Sequence, residues 1–108
     1  MNQNELVLVK ENVDVKLISC GFYFSVFYCS NGDLFMMGSN FDYPSKIKDY
    51  QGDKPNFVMN DKSIISICCS QRNILILKDN GDVFLDFDIK VASNISSIHC
   101  GLNIFLKI

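Results

Sequence analysis

The chain repeats itself with a period of 49 residues, and that recurrence restricts its fold more than any other feature. Displaced by 49 positions, Val15-Lys-Leu-Ile18-Ser-Cys20-Gly21 falls on Ile64-Ile-Ser-Ile67-Cys-Cys69-Ser70. Further along, the stretch from Val26 to Phe35 falls on Leu75 to Phe84, so that Asn31-Gly32-Asp33 meets Asn80-Gly81-Asp82. Six of the 21 positions from 15 to 35 are identical, and the apolar ones match in type. A further displacement of 31 brings Ile64, Ile67, Cys69 and Leu75 onto Ile95, Ile98, Cys100 and Leu106, with Ser70 on Gly101. A third copy therefore begins, and the chain ends inside it. Self-similarity at such a period marks a solenoid, a propeller or an array of stacked units.

Each copy has one internal grammar. A short apolar run (Val15 to Cys20) meets a small residue, a second run follows (Ser25 to Ser30), and Asn-Gly leads into a third (Leu34 to Gly38). The runs are rich in Ile, Val, Phe and Tyr, too short for helices, and bounded by Gly, Asn and Asp, which reads as strands. Asn-Gly between apolar runs predicts a type I′ hairpin with positive φ at both central residues. A fourth segment precedes each unit: Leu6 to Val9, Asn56 to Met59, and Asp88 to Lys90. Four short strands per unit is the make-up of a propeller blade. Runs such as Ile74-Leu75-Ile76-Leu77 are apolar on both faces, as a blade sandwiched between neighbours requires. The expected fold is all-β: antiparallel four-stranded β-propeller blades, about two and a half of them, in an incomplete propeller. Blade 1 is expected over 5–40, an inter-blade loop over 39–54, blade 2 over 55–87 and an incomplete blade 3 over 88–108.

These residues resemble the regulator of chromosome condensation repeat, and the resemblance covers about residues 5 to 108. Gly21 and Gly101 sit at that family's strand-to-strand glycine, where copy two has Ser70. Asn31-Gly32-Asp33 and Asn80-Gly81-Asp82 sit at its hairpin turn. Gly38-Ser39-Asn40 resembles its closing Gly-x-Asn, from which copy two departs with Phe87-Asp88-Ile89. The family's frequent His after the glycine is replaced by Phe24, Asn73 and Ile104, and the aromatic before the closing glycine by Met37. The resemblance implies blades of a seven-bladed propeller and a life as an interaction platform. The founding member exchanges nucleotide on the small GTPase Ran and binds chromatin, and others carry propellers beside ubiquitin-ligase domains. Fold alone does not settle which of these applies.

Composition narrows the function classes. Ten Lys and Arg stand against twelve Asp and Glu for a net charge of −2, and Arg72 is the sole arginine, so the basic footprint of a nucleic-acid binder is missing. The longest nearly apolar run, from Leu17 to Cys29, is shorter than the roughly 20 residues that span a bilayer. The polar start Met1-Asn2-Gln3-Asn4-Glu5 lacks a basic leader. The expected compartment is the cytosol, with the nucleus as the alternative. Five cysteines, an odd number at irregular spacing, then read as reduced thiols. Cys68, Cys69, His99 and Cys100 lack the Cys-x-x-Cys spacing of a zinc site. Instead Cys20, Cys69 and Cys100 share one repeat position and read as small packed hydrophobes. Strand alternation sends His99 and Cys100 to opposite faces, against a Cys-His nucleophile. Asp33, Asp79 and Asp82 lack the ligand spacing of a calcium loop. The aromatics Phe22, Tyr23, Phe24 and Phe27, without interleaved basic residues, read as core rather than a base-stacking platform. Neither a Gly-x-Gly-x-x-Gly motif nor a P-loop occurs.

The expectation is a non-enzymatic protein-interaction module, without cofactor, metal or catalytic residues, and a piece or shortened form of a larger propeller. Its partner is another protein, such as a small GTPase or a ubiquitin-pathway component, with a second copy or the remainder of a propeller completing the ring. The alternative is guanine nucleotide exchange on a Ran-like GTPase. The segment from Ser39 to Lys54 is the least patterned and the first candidate for contact, with Phe41, Tyr43 and Tyr50 as aromatic anchors.

Overall fold

A computed structural model describes residues 14–38, 50–101 and 104–108. Ten strands and no helix occur among them. The first sheet holds β1 (Val15–Cys20), β2 (Phe24–Cys29), β3 (Asp33–Gly38) and β4 (Asn56–Asn60), antiparallel and in chain order. The second holds β5 (Ile64–Cys69), β6 (Ile74–Lys78), β7 (Val83–Leu85) and β8 (Ile89–Ala92) in the same order. A two-stranded hairpin of β9 (Ser97–Cys100) and β10 (Ile104–Lys107) follows.

The 49-residue period survives in fine detail. Register shifts between Val15 and Leu17 recur between Ile64 and Ser66, and those between Leu34 and Phe35 recur between Val83 and Phe84. The Gly21 N–H donates to the Phe24 carbonyl, as the Ser70 N–H does to that of Asn73, both at 2.9 Å.

Two expectations need correction. Asn56–Asn60 does not open the second unit but pairs with β3 and closes the first sheet, as Ile89–Ala92 closes the second. A unit thus begins at its inner strand, and the connection from 39 to 55 lies within the first blade, between its third and fourth strands. Sequence phase is arbitrary in a repeat, so only pairing sets where a blade begins. The expected strand from Leu6 to Val9 lies outside the described residues.

The hairpin turn also differs from the expected type I′. Only Gly32 and Gly81 have positive φ, 94° and 89°, and the preceding asparagines do not. The Gly32 N–H donates to the Cys29 carbonyl at 2.9 Å, which puts Ser30 and Asn31 at the centre and leaves glycine to follow in the left-handed region. This is the three-residue hairpin loop with a glycine bulge. Asn31 Oδ1 accepts the Asp33 N–H at 3.0 Å, as Asn80 does that of Asp82, and this local bond holds each asparagine in its ordinary conformation.

Alternation along the strands explains why both faces of β2 are apolar. Phe24, Val26 and Tyr28, with Leu34 and Met36 of β3, mesh with Ile64, Ile74, Ile76 and Phe87 in the core between the first two blades. The intervening Phe27 and Cys29 join Phe35 in a separate cluster on the other face. Leu75, Leu77 and Val83 pack on Ile98 of the third hairpin. Phe87 stands where the first copy has Gly38, at φ 74°. Left-handed backbone costs a bulky residue about 1–3 kcal/mol. Its nearly complete burial offsets this by a similar amount.

The third hairpin departs from the 31-residue offset. Ile98 faces Leu106, whereas Ile67 faces Ile76, so the link after Cys100 is one residue shorter. Leu106 therefore stands at the position of Ile76 rather than of Leu75.

The cysteines correct a further expectation. Cys100 is joined to Cys68 by a disulfide, Cys20 is exposed, Cys29 buried and Cys69 partly buried. The inner strands β1, β5 and β9 of successive blades pack side by side. Alternation then turns Cys68 toward the third blade and Cys69 toward the first. Adjacent Cys-Cys in the sequence thus serves two different interfaces.

Candidate partner-binding face

Antiparallel order sends the connections of each blade to two ends. At one end lie the β1–β2 link (21–23), the approach to β4 (50–55), the β5–β6 link (70–73) and the β7–β8 turn (86–88). At the other lie the Asn-Gly turns and the links from blade to blade.

The first end carries two exposed aromatics. Phe22 is 65% exposed and Tyr23 64%, and their rings meet edge to face with centroids 6.4 Å apart. They flank an open concavity of about 430 Å³ between Cys20 and Met37, floored by Gly21, Gly38 and Gly52. Three backbone bonds hold this surface. Phe22 N–H donates across the blade boundary to the Gln71 carbonyl at 3.2 Å, Gly21 N–H to Phe24, and Gly38 N–H to the Gly52 carbonyl at 2.7 Å. Space is tight beneath the aromatics: a Cβ on Gly38, at φ 109°, would lie 2.2 Å from the Tyr23 carbonyl oxygen. Asn56 secures the returning chain, its Nδ2 donating to the carbonyls of Gln51 (2.8 Å) and Lys54 (2.7 Å) and its Oδ1 accepting from the Gln51 N–H.

Of the three anchors expected from the sequence, Phe41 and Tyr43 lie outside the described residues. Tyr50 is half-buried, and its hydroxyl donates to the Gly38 carbonyl, which fixes the loop's return on the end of β3. Burial raises the pKa of that hydroxyl, so it stays a donor. The core reading of the four aromatics holds for Phe24 and Phe27 and fails for Phe22 and Tyr23. The signal lay in their position: they follow Gly21, outside the strand runs.

The opposite end has its own polar cluster. Asp61, in the link from β4 to β5, pairs with Lys78 Nζ at 2.8 Å, and its backbone carbonyl accepts from the Tyr28 hydroxyl at 2.7 Å. Burial pushes the Asp61 carboxyl up, but hydrogen bonds from Lys78 and Ser63 outweigh it and hold the carboxyl down at about 2. Burial raises the Cys69 thiol to about 11, despite a hydrogen bond from Ser19, so it stays protonated at neutral pH. His99 is exposed, beside the disulfide-bonded Cys100. Among the described residues no group of three His, Cys, Asp or Glu side chains could hold a metal ion.

Comparison with known proteins places this arrangement. The family model of the regulator of chromosome condensation (RCC1) repeat matches residues 15–43, which contain β1 to β3 and the glycines of the concavity's floor at 21 and 38. Among solved structures, yeast RCC1 (Prp20) bound to Kap60 superposes with a TM-score of 0.70 at 15% identity, over 89% of this chain and 30% of that one. Prp20p from Saccharomyces cerevisiae, described with its binding properties to Gsp1p and histones, gives 0.66 at 16% identity, over 85% of this chain and 30% of that one. Human WBSCR16 gives 0.58 at 16%, over 87% and 24%. No curated protein matches by sequence. The likeness is one of fold, a β-propeller, and this chain spans about 30% of the length of the Prp20 propellers it matches.

Proposed function

We infer that the chain is a non-enzymatic protein-interaction module whose contact surface is the loop end of the first blade. The observation that carries this reading is the exposed Phe22–Tyr23 pair beside an open concavity, on backbone fixed by Gly21 and Gly38. Exposed aromatics on a rigid base suit a hot spot, because they bury large area at little entropic cost. Phe41 and Tyr43, which follow β3 in the sequence, are further candidate anchors of the same contact. The partner is a protein of the kinds named for Prp20p, a small GTPase such as Gsp1p or a histone, met in the cytosol or nucleus.

Titration of labelled Gsp1p and of core histones with the whole chain tests this. The expected result is saturable binding to one of them, weakened about thirtyfold in the Phe22→Ala/Tyr23→Ala variant, as for loss of a ~2 kcal/mol hot spot. Lys62→Ala, an exposed change at the far end, leaves binding unaltered. Absence of binding to both at micromolar concentrations, or binding indifferent to the double variant, overturns the reading. Release of labelled nucleotide from Gsp1p, followed in the same samples, separates binding from exchange.

A further inference from the structure

The second blade is joined to its neighbours in two different ways. Toward the first blade the core is broad, with buried side chains from both sheets, and the Asp61–Lys78 pair reinforces it. Toward the third, one described side chain of the hairpin, Ile98, is buried, against Leu75, Leu77 and Val83. Ile95 adds partial burial and a backbone bond to the Gly81 carbonyl at 3.0 Å. A two-stranded hairpin has little stability of its own. Among the described residues, the contacts that dock β9–β10 on the second blade are Ile98, the partly buried Ile95 and Cys100, and the covalent bond Cys68–Cys100, which crosses from β5 to β9.

We propose that the Cys68–Cys100 disulfide is a redox-controlled latch that holds the third hairpin against the second blade. Reduction needs a thiol of the glutathione or dithiothreitol class. A thiolate attacks one sulfur to give a mixed disulfide, and a second thiol displaces the protein sulfur. Two electrons pass to the bond, the products are two cysteine thiols and one small-molecule disulfide, and the protons come from the two reductant thiols. With the bond open, the hairpin leaves by local unfolding, and Leu75, Leu77 and Val83 gain access to solvent or to another protein. Disulfides in reducing compartments are usually transient, which suits a latch better than a permanent brace. At the first interface the equivalent position is held by Ser19, one inner strand along, where β5 has Cys68.

The test uses the whole chain equilibrated in glutathione buffers of graded ratio. Alkylation and mass measurement count free thiols, and amide hydrogen exchange is followed segment by segment. The expected count rises from three free thiols to five on reduction. Over the same transition, exchange in 95–107 accelerates about tenfold or more while that of β2 and β3 is unchanged, the pattern of a local opening. A Cys68→Ser/Cys100→Ser variant behaves as the reduced chain in every buffer, and Cys20→Ser/Cys69→Ser keeps the transition. The measurement on the unaltered chain stands whether or not the variants fold. Five free thiols under oxidising conditions, exchange in 95–107 that ignores reduction, or acceleration spread equally over all blades would each overturn the proposal.

Discussion

Single positions in this chain are dictated by neighbours distant in sequence. Gly38 ends β3 at φ 109°, and a Cβ there would meet the Tyr23 carbonyl at 2.2 Å and the Phe24 Cα at 2.4 Å. Both obstacles are backbone, so neither can turn aside. Gly38→Ala is expected to destabilise the fold by about 2–4 kcal/mol, from strained φ plus forced separation of β2 and β3. Gly101 makes a control: among the described residues nothing lies within 4 Å of its Cβ position, and its φ is not positive. Gly101→Ala should change stability by less than about 0.5 kcal/mol. Urea unfolding of the two variants reads the contrast, and equal effects would show that the end of β3 relaxes. Phe87 has the same left-handed requirement without being glycine, and its place in the core explains why a bulky side chain persists there. One repeat position is thus met by two solutions, conformational freedom in the first copy and burial in the second.

Elements are tied to one another by polar contacts as well as by ladders. The link from β4 to β5 is fastened to β6 by Asp61 and Lys78, and to β2 through the Tyr28 hydroxyl. Because the Asp61 carboxyl is held at about 2, below its ordinary 3.8, its contribution is present above pH ~4 and lost as pH falls through ~2. The pair is partly solvated, so about 1 kcal/mol or less is at stake. Lys78→Met keeps an apolar stem and removes the charge, together with the ammonium 4.4 Å from the Phe84 ring centroid. Its thermal midpoint should fall below that of the unaltered chain near neutral pH and converge with it toward pH 2. Parallel curves would remove the pair from the account. At this scale the sequence was highly legible, because strands, bulges and turns are local and recur. Copies 49 apart match in their Asx bonds and in the register slips at Val15 and Ile64. Strand partnership was less legible: nothing within Asn56–Asn60 says whether it pairs backward with β3 or forward with β5. Phe22 and Tyr23 illustrate the same limit for the candidate site. Their apolar character fits a core, and only the placement of Gly21 against Ser70 and Phe24 turns them outward.

For the whole molecule, the important energies are those between adjacent blades, since each unit touches only its neighbours in a repeat array. The inner strands make this testable. Cys68 on β5 reaches Cys100 on β9, and moving each residue back one repeat gives Ser19 on β1 and Cys69 on β5. These two are neighbours, since Ser19 acts to lower the pKa of the Cys69 thiol against the effect of burial. If successive blades are related by one operation, Ser19→Cys should place a thiol where a second disulfide closes without backbone movement. Cys20 also acts on the Cys69 thiol, so the change belongs in a Cys20→Ser background to leave a single partner. Oxidation should then leave one free thiol, the buried Cys29, and raise stability by about 2–4 kcal/mol through constraint of the unfolded chain. Reduction should return the midpoint to that of the reduced parent. The two links would act on different interfaces, so their effects should add. Failure of the Ser19→Cys thiol to pair with Cys69 under oxidation would mean that the first and second blades meet at an angle the second and third do not share. The propeller would then be irregular at its inner wall, and the disulfide a local feature of one interface.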